Sequence, residues 1–473
     1  MESESRRTSI AKYLDALTGL IGIIVFANVI GASGLGLYYI LSALNRIGNR
    51  PATGISTANE HFISSQEQDR DSFISTAVML GFFASLIVSI IAYGSYTYIP
   101  LLDQFEVPRS AFYALIILIV SSSLFQLGRG SYSGVGRPAS AEFVNASRGV
   151  IETTIQVFAV ISGYGVAGML IGTAVSAVIG FLYMMLKPSV EIGTPSVSKA
   201  KELLSYARWS MVTRIIDALY KRMDTLILGF LVSPAATGVY SATRRVVQPV
   251  RIIGFGVKRP MIISVSQYDS VTDELHEKLN SLGGYAGILG IPLIFGAIVV
   301  GEGLLEILYS PEFVEGYLIL IGSAVYYTFV SHNSVLSEFV HGMSEPKIVT
   351  YSLIVATLLR STVAVFLVYQ FGLNGVVPAM VLSAVVRFGL LYVMIKSSTG
   401  QYYSPHRVKY QSLASFIMFI VIVPLQLTPA QDIFLIPVSI AIGGIVYIVS
   451  LFYLDKPMKD EFLRLLNQKV LKN

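Results

Sequence analysis

Stretches of about 20 apolar residues follow one another along this chain from end to end, each long enough to cross the hydrocarbon core of a bilayer as a helix. Of its 473 residues, 53% are hydrophobic and 13% charged, where a soluble domain carries about 25% charged. The chain reads as an all-α polytopic membrane protein with about fourteen transmembrane helices. The expected spans are roughly 10–30, 35–60, 72–97, 109–132, 139–161, 165–187, 206–232, 237–265, 280–309, 315–341, 347–370, 373–396, 409–427 and 432–454. The second and eighth are the least apolar. The N-terminus carries Glu and Arg ahead of the first run and has no small-residue cleavage site, so residues 10–30 read as a retained span.

The connecting loops alternate in charge. One set holds Arg6, Arg7, Arg70, Arg137, Lys199, Lys201, Lys278, Lys347, Arg407, Lys409 and Lys456. The other holds Asp103, Glu106, Glu312, Glu315 and Asp432, with Arg109 as its lone cation. By the positive-inside rule both termini are expected in the cytoplasm of a multi-pass plasma-membrane protein. The net charge of +5 therefore speaks to orientation and not to nucleic acid. Cysteine is absent, so there is no disulfide framework and no thiolate metal site. The five His show no metal-binding spacing and no Walker A sequence occurs, so neither a cofactor nor enzyme chemistry is expected.

The chain repeats itself. ANVIGASGLGLYY (27–39) matches GFLVSPAATGVYS (229–241), pairing Gly36 with Gly238 and Tyr38 with Tyr240 at an offset of 202. GVGRP (134–138) answers GMSEP (342–346), and YGVAGMLIGTAVSAV (164–178) answers FGLNGVVPAMVLSAV (371–385) at an offset of 207. An offset of six spans preserves orientation, so two parallel six-helix lobes are expected. The expected boundaries are 1–187 for the first lobe, 188–204 for a cytoplasmic linker, 205–397 for the second lobe and 398–455 for a C-terminal hairpin. In the tail, 456–473, Phe462, Leu463, Leu465 and Leu466 stand beside basic residues, as in an amphipathic helix on the cytoplasmic leaflet.

Polar residues at membrane depth mark the candidate site. Arg244, Gln248, Arg251 and Lys258 fall within an arc of about 80° on the expected eighth helix. A charge at the bilayer centre costs about 2.5–3.5 kcal/mol on insertion scales, so this stripe must face something polar. On the seventh span Arg214, Asp217, Lys221 and Asp224 form a second stripe, whose alternating signs suggest pairing of Arg214 with Asp217 and of Lys221 with Asp224. In the first lobe the second span offers Asn45, Arg46, Asn49 and Arg50, and the fifth offers Glu142, Asn145, Arg148 and Glu152. Arg148 and Glu152 have the spacing of an ion pair along one helix. Arg129 suits a lipid headgroup, and His332, Asn333, Glu338, Arg360 and Arg387 suit bridges between helices. Tyr326 and Tyr327 read as interfacial anchors, with sugar stacking as the alternative. The surplus of Arg and Lys over Asp and Glu favours a cavity for phosphate or pyrophosphate.

The segments VIGASGLGLYYI, ATGISTANEHFIS and MDTLILGFLVSPAATGVYSATRRV, the last with Asp224, Gly238 and Tyr240, resemble the polysaccharide-export flippases of the Wzx type. These share the MOP superfamily with the MATE drug exporters and the bacterial lipid II flippase. The resemblance covers essentially the whole chain. It implies translocation of a lipid-linked oligosaccharide from the cytoplasmic to the outer leaflet by alternating access, for surface polysaccharide or glycoprotein synthesis. The implied partners are membrane lipids, a polyprenyl- or dolichyl-(pyro)phosphate-linked glycan, and the glycosyltransferases or polymerase of the same pathway. The family's cavity cations map by position onto Arg46, Arg50, Arg148, Arg214, Arg244 and Arg251. A cation-coupled multidrug exporter of MATE type is the alternative, but it calls for a deep carboxylate in the first lobe, and the first span offers only Asp15. A glycan polymerase calls for a large outer loop, and the longest here is about a dozen residues.

Overall fold

Hydrocarbon offers a backbone no hydrogen-bond partner, so an apolar run placed in it closes its own N–H···O=C ladder as a helix. The computed structural model describes residues 2–65, 69–98, 106–250, 273–343, 346–400, 402–426, 435–461 and 464, and among them the long apolar runs are helical and no strand occurs. The chain divides into two compact units, Met1–Ser241 and Ala242–Asn473.

The first unit holds α1 (Glu2–Gly48), α2 (Arg50–Ser65), α3 (Arg70–Tyr98), α4 (Arg109–Gly134), α5 (Pro138–Ile161), α6 (Gly165–Met185), α7 (Val197–Leu231) and the start of α8 (Pro234–Val247). α1 is two helical legs joined at Gly31, whose φ of 66° and ψ of −177° leave the helical region in a way that only glycine adopts without strain. Before Gly31, Asp15 and Gly22 lie against Gly149 and Thr153, so the first leg runs with α5. After it, Asn45, Ser56 and Asn59 meet Ser122, Gln126 and Ser131, so the chain now runs with α4. Because α5 runs against α6, with Gly172 beside Gln156, and α4 runs with α6, with Gly180 beside Phe125, the two legs have opposite directions. The expected second span needs a correction. It is not a single helix over 35–60 but two pieces parted at Asn49, because Pro51 has no N–H to return to the carbonyl of Ile47.

The second unit holds the end of α8, then α9 (Asp273–Gly283), α10 (Gly290–Leu308), α11 (Tyr317–Gly342), α12 (Pro346–Phe371), α13 (Val376–Thr399), α14 (Arg407–Gln426) and α15 (Leu435–Leu454), with short 3-10 turns at Pro311–Gly316 and Gly372–Gly375. Internal duplication is visible in local geometry. Gly165 and Gly372, paired in the sequence repeat, both take positive φ, 52° and 58°, at the entry to α6 and α13. Ser176 and Ser383 each donate to the carbonyl one turn earlier, on Thr173 and Met380, at 2.8 Å.

Among the described residues nine stretches are long and apolar enough to cross a membrane, two of them each holding two helical segments, Leu14–Gly48 and Lys347–Ser397. α2, α5, α7 and α8 are absent from these, and they are the helices that carry most of the candidate polar residues. Outward faces are apolar: Ile87, Ile90 and Ile91 on α3, and Ile445 and Val449 on α15, are each more than half exposed. A surface of that kind is stable only against lipid. Residues 456–461 are helical, and the four apolar tail positions Phe462, Leu463, Leu465 and Leu466 lie outside the described residues.

Candidate substrate-binding site

Three cations of the first unit, Arg46, Arg50 and Arg214, gather where α1, α2 and α7 come together. Arg46 ends α1 and Arg50 opens α2, on either side of the break before Pro51. Irregular backbone at membrane depth persists only where protein buries it or where it lines a polar cavity. Asn45 is fixed there by a hydrogen bond from Ser122 Oγ at 2.9 Å. From α7, Arg214 donates to Thr57 Oγ1 of α2 at 2.7 Å and to Ser210 Oγ at 3.2 Å. Arg50 lies in the electrostatic field of Arg46, Arg214 and Asp217. Its Nε is buried and finds no acceptor among the described residues.

The α7 stripe pairs differently from the expectation. Lys221 bonds Asp217 at 2.9 Å one turn back, rather than Asp224, and Arg214 takes hydroxyls rather than Asp217. Asp224 is buried and accepts a hydrogen bond from Tyr240 of α8. An i, i+4 pair aligns along the helix better than an i, i+3 pair, and the Tyr240 hydroxyl takes Asp224 for itself. Arg148 does pair with Glu152, at 3.0 Å, and also reaches Ser176 and covers the Phe125 ring. Glu152 belongs to a network that sequence spacing did not bring out: it accepts from Thr173 at 2.9 Å, and Gln156 donates to Thr173 and to the buried Tyr38 hydroxyl. Arg129 is held by Glu142 rather than left for a lipid headgroup.

In the second unit Arg244 donates to Tyr327 Oη at 2.8 Å and lies over the rings of Tyr326 and Tyr327. Arg360 of α12 donates to Tyr326 Oη at 3.0 Å. The tyrosine pair therefore works inside the unit, holding two guanidiniums, rather than as interfacial anchors. The expected single helix over 237–265 is interrupted: α8 ends at Val247, and Gln248 stands in a turn, hydrogen-bonded to Arg245. Pro249 is the cause, since it offers no N–H to the carbonyl of Arg245. Arg251 and Lys258 lie outside the described residues. Asn333 and Arg387 bridge helices as expected, Asn333 donating to the Ala384 carbonyl at 3.1 Å and Arg387 to Ser337 at 3.2 Å, whereas His332 bonds Tyr403 Oη, in the loop before α14, at 2.8 Å.

The prolines carry a further signal. Aligning Pro51 with Pro249, an offset of 198, sets Arg46 against Arg244 and Arg50 against Gln248. Each repeat thus breaks its second helix at a proline beside an arginine. Thr57 and Ser210 carry no such signal, because hydroxyls are common in apolar helices and only packing selects these two.

The sequence profile of a family described as polysaccharide biosynthesis protein matches residues 25–317. Over 421 residues the chain is 23% identical to a probable low-salt glycan biosynthesis flippase, Agl15, of Haloferax volcanii, covering 87% of this chain and 88% of that one. Over 315 residues it is 26% identical to a probable flippase, AglR, of the same organism, covering 64% and 63%. In fold it is similar to the lipid II flippase MurJ in an inward closed conformation, with a TM-score of 0.79 at 17% identity over 95% of this chain and 99% of that one. An inward-facing multidrug resistance MATE transporter of the MOP superfamily aligns less well, with a TM-score of 0.58 at 16% identity over 82% and 96%.

Proposed function

This chain belongs to the polysaccharide biosynthesis protein family, as a flippase of the Wzx type within the MOP superfamily, and from that premise we propose that it moves a lipid-linked oligosaccharide from the cytoplasmic to the outer leaflet by alternating access. The phosphate or pyrophosphate joining sugar to lipid is received by Arg46, Arg50 and Arg214, while the lipid tail stays in hydrocarbon. Arg50 is the observation that carries this reading. A buried guanidinium nitrogen without an acceptor, beside two further arginines, leaves a polar group unsatisfied at about 1–3 kcal/mol or more for a charged group. An anionic ligand supplies the missing acceptor and offsets the mutual repulsion of the cations. Arg148, already matched by Glu152, and Lys221, matched by Asp217, serve the surroundings of that site. Arg244, Gln248 and Arg251 are assigned a corresponding role in the second repeat on the proline alignment.

The charge balance separates this reading from multidrug export, because three clustered arginines repel a cationic drug. A membrane potential negative inside assists the outward passage of an anion by about 2.3 kcal/mol per charge per 100 mV. The test is replacement of Arg50 and Arg214 by Ala, with Arg50→Lys as the charge-retaining control. Loss of a charge-assisted contact predicts a drop in flipping of about tenfold or more for each Ala variant. It is read as lipid-linked glycan left on the inner leaflet of a strain in which the protein still inserts. Unchanged surface glycan in the double variant refutes the assignment.

A further inference from the structure

Away from the arginine cluster of α1, α2 and α7, a cavity lies where α4 and α6 finish and α5 begins. It has a volume of about 400 Å³ and is lined by Tyr132, Arg137, Ser140, Phe143, Tyr183, Lys187 and their neighbours. At about 30 Å³ per water, that is room for a small polar headgroup. None of its lining residues is acidic. The nearby carboxylate, Glu142, is taken by Arg129.

Two cationic residues 50 positions apart in the chain, Arg137 and Lys187, both line this cavity. Arg137 is exposed and makes no side-chain hydrogen bond or ion pair among the described residues. The Lys187 ammonium is held 4.1 Å above the Tyr183 ring and has no carboxylate partner among those residues. Arg137 is also the residue preceding α5, so the positive end of that helix dipole opens beside it. Phe143 and Tyr183 stand half-exposed at the rim. Aromatic rings so placed suit the boundary between hydrocarbon and headgroups.

We propose that this cavity binds the phosphate group of an anionic membrane lipid on the leaflet that the loop charges assign to the cytoplasm. Arg137 and Lys187 clamp the phosphate, Ser140 and Ser189 donate to its ester oxygens, and Phe143 and Tyr183 lie along the first carbons of the chains. The site is independent of the arginine cluster at the α2 break and does not depend on which glycan is carried.

The experiment is lipid binding to the purified full-length protein, read by native mass spectrometry and by melting temperature in mixed micelles. The probes are phosphatidylglycerol, phosphatidylcholine and inorganic phosphate. Wild-type protein is expected to retain phosphatidylglycerol and to melt higher in its presence, with no response to phosphatidylcholine. The double variant Arg137→Gln/Lys187→Gln is expected to bind phosphatidylglycerol at least tenfold more weakly. The charge-retaining variant Arg137→Lys/Lys187→Arg should bind within about threefold of wild type. It keeps the test valid, because equal melting of both variants in phosphatidylcholine alone shows that the fold is intact. Equal retention of phosphatidylglycerol by wild type and the Gln variant overturns the proposal. So does protection by inorganic phosphate equal to that by the lipid, which would make the site one for a soluble anion.

Discussion

An arginine inside a membrane span has to be matched, and the arginines here are matched in three different ways. Arg148 is matched along its own helix by Glu152, Arg244 and Arg360 by the hydroxyls and ring faces of two tyrosines, and Arg214 by hydroxyls. Arg50 also has a buried Nε without an acceptor, as do Arg148 and Arg244, but it lies beside Arg46 and Arg214 and its side chain makes no hydrogen bond or ion pair among the described residues. Spacing alone exposed the first kind of match, since i, i+4 contacts are local. It did not expose the others, whose partners are up to 157 residues away. Outside the spans, Arg407 anchors the C-terminal helix through Glu461 at 2.9 Å and Asp455 at 3.7 Å. Burial raises the Glu461 carboxyl, but hydrogen bonds from Arg407 and Tyr285 outweigh it and hold the group below its ordinary value. A depressed carboxylate contributes stability above the unfolded value of about 4.5 and loses it as pH falls through the folded one. Protection of the amides across 455–461, measured against their intrinsic exchange rates, should therefore fall below pH 4.5 in wild type and already be lower at pH 7 in Glu461→Gln. Protection that stays the same across this pH range in wild type would remove the anchor from consideration.

Helices in this chain are specified by apolar length, but their interruptions are what build function. Each repeat breaks its second helix at a proline, and the arginines gather at those breaks. Hydropathy passes over these elements because the polar residues that make them useful lower the very signal that identifies a span. A different constraint acts where the second leg of α1 meets the start of α8. A Cβ added to Gly36 would sit 1.6 Å from the Pro234 carbonyl oxygen, and one on Gly238 would sit 2.0 Å from that of Ala32. The two halves of the first repeat motif thus pack backbone to backbone, a contact that small residues permit between membrane helices. Gly36→Ala and Gly238→Ala are each expected to force the helices apart and to cost about 1–3 kcal/mol or more. Gly94→Ala on α3, where a Cβ meets nothing within 4 Å, should be silent. Melting temperatures of the three purified variants check this, and equal values would discount the close crossing.

At the scale of the molecule, the alternating loop charges predict the linker near Ser198 on the cytoplasmic side and the turn at Ser162 outside. Because the chain has no cysteine, Ser198→Cys and Ser162→Cys are clean reporters. A membrane-impermeant maleimide added to intact cells should label the second and spare the first, and the reverse pattern would invert the topology. Two properties followed from the order of residues alone: a polytopic helical chain and its family likeness. They rest on quantities that sequence carries directly, namely apolar length against bilayer thickness and local spacing. Tertiary structure decided which polar residues neutralise each other. It turned Lys221 to Asp217, gave Asp224 to Tyr240, set Tyr327 against Arg244, and left Arg50 open. The physical reason is range. A helix ladder is satisfied within four residues, whereas a buried charge is satisfied by whatever the packing of distant helices brings within about 3 Å of it.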